Sequence, residues 1–162
     1  MSGIERSERF SVEESQFSRE QLIGDAPPSL ADDLRCKDVI ILPSHGSDDA
    51  FYAGTLDTLD YLNEHHLNSD VYATDEAYRE LSLHAADLWL GTFFIANVAI
   101  PIFCGVISSY IYERLNAKSS DRISLKFIVE KKKGNAVTVS FDGKVEDLDK
   151  VIDAVKSVSN ED

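Results

Sequence analysis

Between Leu88 and Tyr112 the chain reads LWLGTFFIANVAIPIFCGVISSYIY, a stretch without a single charge in a protein that is 28% charged. Such a run either crosses a bilayer or is buried in a core. As one helix it would extend about 37 Å at a rise of about 1.5 Å per residue, longer than a hydrocarbon layer of about 30 Å. Asp87 and Glu113 bound it sharply. Trp89 near one end, with Tyr110 and Tyr112 near the other, are rings of the kind that anchor at a membrane interface. The run is therefore expected to be a single transmembrane helix, residues 88–112. Two other readings stay open. One is a helix buried in an α+β core or an oligomer interface, with the strands before and after it in one sheet. The other is a re-entrant hairpin bent at Pro101.

Within the run, Pro101 cannot donate to the carbonyl of Asn97, so a helix kink is expected there. Gly105 and Ser109 form a small-xxx-small pair that lets two helices approach, with Asn97 hydrogen-bonding across the contact. These three are the candidate helix–helix residues of a homo-oligomer, and they equally suit a monomeric helix. Arg114, Lys118, Arg122 and Lys126 follow the run closely, whereas only Arg79 precedes it nearby. The positive-inside rule then places the C-terminal part in the cytoplasm. That topology carries the whole acidic N-terminal half across; a cytoplasmic, soluble chain is the alternative.

The charge is uneven. Residues 1–87 hold nineteen acidic and six basic residues, residues 113–162 hold ten of each, and the formal net charge is -13. An acidic surface repels phosphates, which argues against nucleic acid as a partner. Two cysteines, Cys36 and Cys104, make neither a disulfide framework nor a cysteine-rich metal site. The polar N-terminus MSGIERSERFSVEESQF lacks the apolar core of a secretory signal.

Residues 1–37 are expected to be a disordered acidic tail, with a short helix near VEESQFSREQLIG anchored by Phe17 and Leu22. Residues 38–87 read as a small α/β region. DVIILP is a short β-branched run closed by proline, suited to a buried strand. A helix is expected from about Asp49 to His66, with Tyr52, Leu56, Leu59 and Leu62 on one face and Gly54 weakening its first half. NSDVYAT is a second short strand, and Thr74 starts another helix, with Ala77, Leu81, His84 and Leu88 on one face, that runs into the apolar stretch.

Residues 113–121 are a polar linker and residues 159–162 a tail. Between them, RISLKFIVEK alternates with Ile123, Leu125, Phe127 and Val129 on one side, and AVTVSF does so with Val137, Val139 and Phe141. KKKGN joins them as a hairpin loop, and Val145, Leu148, Val151, Ile152 and Val155 form the face of an amphipathic helix. Residues 122–158 are thus a ββα unit. The fold class expected is α+β: a short strand–helix–strand region, a long apolar helix, then ββα.

Chemistry-bearing motifs are sparse. The loop PSHGSDD offers Ser44, His45, Asp48 and Asp49 after a strand, the basis of a small-hydrolase reading, but neighbours in one loop seldom make a triad and no G-x-S-x-G elbow is present. His65, His66 and His84 lack zinc-helix spacing. Lys131, Lys132 and Lys133 form a basic hairpin tip that would contact anionic lipid beside a bilayer. No cofactor motif is found.

The order strand, helix, apolar helix, β-hairpin, helix over residues 38–158 resembles small accessory components encoded beside effectors in bacterial conflict systems. That resemblance implies an adaptor role and carries no individual residue across. The function expected is a non-enzymatic, membrane-anchored adaptor or regulatory subunit acting on an unknown protein partner, with a soluble α+β oligomeric interaction protein as the alternative.

Overall fold

The structure, a computed structural model, describes residues 8–44, 50–81 and 87–161. Residues 8–37, most of the region expected to be a tail, are built into the fold. Arg9–Glu14 is a strand (β1), followed by short helices at Arg19–Gly24 (α1) and Pro28–Leu34 (α2). Ser18 caps α1 reciprocally: its hydroxyl accepts from the Gln21 amide and its own N–H donates to the Gln21 side chain. Pro28 opens α2, where a missing N–H costs nothing, so the paired prolines mark a helix start. Burial of Leu22, Ile23, Leu30, Ala31 and Leu34 holds both helices down.

Val39–Leu42 is the strand expected from DVIILP (β2). The segment expected as one helix from Asp49 to His66 divides at Gly54, whose φ of 91° turns the chain between the strand Ala50–Tyr52 (β3) and the helix Thr55–Glu64 (α3). Of the expected face, Leu62 is buried and Leu56 is 47% exposed. Ser69–Val71 (β4) follows. The helix expected from Thr74 is replaced by a turn and the strand Arg79–Leu81 (β5), which pairs in parallel with β3. His84 lies outside the described residues.

The apolar run is the largest correction. Leu88–Ile95 is a strand (β6), Asn97–Ala99 a 3-10 turn, and Ile100–Ser109 a helix (α4) that ends in one wide turn at Tyr110–Arg114. Among the described residues no helix is long and apolar enough to cross a membrane. The transmembrane expectation, and the single-pass localisation with it, is overturned. Pro101 kinks nothing, because it sits in the first turn of α4.

The strand Arg122–Glu130 (β7), the strand Ala136–Lys144 (β8) and the helix Leu148–Ser159 (α5) complete the chain as the expected ββα unit. The main sheet has the order β1-β8-β7-β6-β2-β4, with β6 parallel to β7 and antiparallel to β2. One face packs against α3, α4 and α5 through Ile41, Phe93, Phe103, Phe127, Val139 and Val155. The other meets α1 and α2 through Ile40, Leu42, Phe94 and Ile128. The second half of β6, Phe93 to Ile95, is therefore covered on both sides, and a strand of that kind reads as unbroken apolar sequence. The run is uncharged because a two-faced strand is followed directly by a helix.

Candidate binding face

Side chains alternate across a sheet, so the even-numbered residues of β7 and β8 share the face opposite α3–α5. Helices α1 and α2 cover only half of it. Past Ile128 the cover ends and the residues turn polar. Thr92 on β6 pairs with Lys126 on β7, Lys126 with Ser140 on β8, and Ser140 with Ser11 on β1, which makes one polar row across four strands. A second row runs Trp89, Ser124, Asp142, Arg9.

These rows floor a groove of about 680 Å³. A second lobe of about 420 Å³ shares Thr92, Lys126 and Ser140 with it and reaches Phe17 and Pro43. Tyr52 and Trp89, ring centroids 5.3 Å apart, stand at one end. Next to Trp89 the strand β6 bulges, with Trp89 and Gly91 opposing consecutive residues of β7. Gly91 has φ 107°, and a Cβ there would lie 3.2 Å from Ser44 Oγ, so the bulge requires glycine.

Among the described residues, Lys126 has no ion pair or side-chain hydrogen bond, and neither do the hydroxyls of Ser11, Thr92, Ser124, Thr138 and Ser140. That set is one cation and five hydroxyls facing solvent on a rigid sheet. Arg122 and Asp142 pair at 2.9 Å in the row beside it. At the rim, Glu8 shares a hydrogen bond with Asp147, which raises the Glu8 pKa above the ordinary carboxylate value; Lys150, 3.9 Å from Glu8, partly offsets this. Among the described residues the lining contains neither histidine nor cysteine; beside the hydroxyls it offers the cations Lys126 and Arg9 and the carboxylates of Glu8, Glu13, Glu14 and Asp142, so what the face offers is hydrogen bonding and charge of both signs.

The residues singled out from sequence scatter instead of converging. Asn97 is tied within the chain to Glu130 and Ser159. Gly105 is exposed on α4 with nothing within 4 Å of a Cβ, and Ser109 is half-buried. Tyr110 is buried and donates to Asp57, 2.9 Å away; burial pushes its phenol up to about 12. Tyr112 is 42% exposed, with its hydroxyl 3.4 Å from the Val145 carbonyl. Trp89 lines the groove and Ser44 its second lobe. Lys131 pairs with Glu161 at 3.4 Å, and Lys132 and Lys133 are exposed at the hairpin turn. Without a span to bring that turn to a bilayer, the lipid contact loses its basis.

Ser44 is buried and donates to the Leu42 carbonyl, 3.2 Å away; His45, Asp48 and Asp49 lie outside the described residues. His65 is exposed at the end of α3 and stacks on Tyr61 at 4.1 Å. Among the described residues no group of three His, Cys, Asp or Glu side chains could hold a metal ion. Of the residues that sequence reasoning missed, Ser124, Lys126 and Ser140 were visible as the polar half of an alternating pattern, whereas Thr92 sits in β6, which does not alternate. Nothing in that pattern shows where the covering helices stop. Comparison with known proteins finds no matching family model, no curated relative and no solved structure that matches the chain.

Proposed function

We propose that the chain is a non-catalytic interaction module that receives a partner protein on the open half of its sheet. The observation that carries this is the row Thr92–Lys126–Ser140–Ser11, whose side chains meet no partner among the described residues although the rest of the same face is covered. Polar groups on a flat, preformed surface bind without losing much order, and the Lys126 ammonium, with Arg9 in the next row, favours a carboxylate on the partner. An adaptor role, as the resemblance to conflict-system accessory components implies, fits a surface of this kind.

A photoreactive residue at Ser140 tests the reading, with one at Asp153, exposed on α5, as the control. The proposal expects one discrete adduct from Ser140 in the native host, lost when Lys126→Glu is added, and none from Asp153. Equal labelling from both positions would contradict it. Lys126→Glu should leave stability within about 0.5 kcal/mol, because Lys126 is exposed.

A further inference from the structure

β1 is a sheet edge. It pairs with β8 on one side through six consecutive residues and has no strand on the other among the described residues. Edge strands are normally blunted by proline, lysine, a bulge or an inward charge, because their free N–H and C=O groups template pairing with another chain. RFSVEE has no proline or lysine, its register with β8 is unbroken, and both of its large apolar side chains are open to solvent: Phe10 is 42% and Val12 47% exposed.

The direction of the backbone groups can be read from one bond. The Ser15 N–H donates to the Ala136 carbonyl at 3.0 Å, so odd-numbered residues aim their N–H and C=O at β8. Phe10, Val12 and Glu14 therefore aim theirs at the open edge. We propose that this edge is an interface between two copies of the chain, paired antiparallel about a two-fold axis through Ser11.

That register satisfies backbone and side chains together. Phe10 of each copy stands opposite Val12 of the other, exchanging both N–H···O bonds and covering the two exposed apolar groups. Arg9 stands opposite Glu13 at the non-hydrogen-bonded positions, where side chains approach most closely. The axis repeats both contacts. Sliding one strand by two residues sets Phe10 against Glu14 or against itself and abolishes both ion pairs. A slip of one residue mismatches the backbone groups and turns every side chain to the wrong face. Glu14 would meet Glu8, which lies before the strand and turns toward Lys150.

Two chains of charge -13 repel one another, so local alternation of sign has to select the contact. Six residues span about 20 Å, and their pairing buries less than the roughly 1,200–2,000 Å² of a stable specific interface. The dimer is accordingly reversible and concentration-dependent. Because the axis stands normal to the sheet, the two polar faces lie on the same side and meet at Ser11. The inference rests on β1 alone and does not depend on the groove having a ligand.

The test is sedimentation velocity of the full chain over a wide concentration range, comparing wild type, Arg9→Glu, Glu13→Arg, the double exchange and Val12→Pro. Each single exchange turns two attractive pairs repulsive and should raise the dissociation constant at least about tenfold. The double exchange restores attraction and should return it to near the wild-type value. Val12→Pro removes an outward N–H without touching the β8 ladder and should also weaken the dimer, with circular dichroism unchanged. A wild type that stays at 18.0 kDa at every concentration overturns the proposal. So does a dimer indifferent to the single exchanges, or a double exchange that fails to restore it.

Discussion

Asn97 donates its side-chain amide to the carbonyls of Ser159, 2.8 Å away, and Glu130, 2.9 Å away. One residue thus ties the junction of β6 and α4 to the end of β7 and the last turn of α5. Asn97→Leu leaves both carbonyls unmet and should lower the unfolding free energy by about 1–3 kcal/mol in urea titration. A spanning helix would gain from the same change, so unaltered or increased stability would speak against this fold.

Gly91→Ala should cost about 1–3 kcal/mol, because it forces a side chain onto φ 107° and sets a Cβ 3.2 Å from Ser44 Oγ. Gly105→Ala, on exposed helix with open space around it, should be neutral or stabilising by up to about 1 kcal/mol. Thermal melts of the two variants side by side check this contrast. Equal effects would mean that the bulge is not built as described.

Asp57 accepts hydrogen bonds from Arg114 Nε at 3.2 Å and from the Tyr110 hydroxyl. The Arg114 guanidinium, foremost, holds the Asp57 carboxyl below its ordinary value of 3.8, with burial opposing it. A depressed folded pKa contributes stability that is complete above the unfolded value and disappears as pH falls through the folded one. Arg114→Gln should therefore lower stability slightly at neutral pH, as expected for a largely exposed pair, and the gap to wild type should narrow and close as pH falls below about 3.8. A gap that stays constant into acid would assign the loss to packing.

Cys36 is exposed and Cys104 is buried, with desolvation pushing its thiol up to about 11. A thiol reagent at neutral pH should label one cysteine of the native chain quickly and the second only on unfolding. Two equal rates would place Cys104 at a surface.

The ββα unit was legible because both signals in it are strong. β7 and β8 alternate cleanly, and α5 carries a complete apolar stripe. Helix α1 was partly legible as well, with Leu22 and Phe17 as its anchors, whereas its Ser18 cap was not read. Residues 88–112 were not, for a definite reason: Phe93 and Phe94 point to opposite faces and both are fully buried, so β6 shows no period of two. Asn97 and Pro101, read as features inside one helix, are the boundary between two elements. β3 and β5, at three residues each, are too short to show any period. β1 escaped for the opposite reason, being open to solvent on both faces. The groove depends on where α1 and α2 stop, which is a property of tertiary placement alone.

The measurement that bears most directly on this account is solution NMR of the full chain without detergent, on residues 88–112. The fold predicts cross-strand contacts from Phe93 to Ile41 and from Phe93 to Phe127, slow amide exchange through Ile95, and helical contacts beginning only at Ile100. A continuous helical pattern from Leu88 to Tyr112, without those cross-strand contacts, would contradict it.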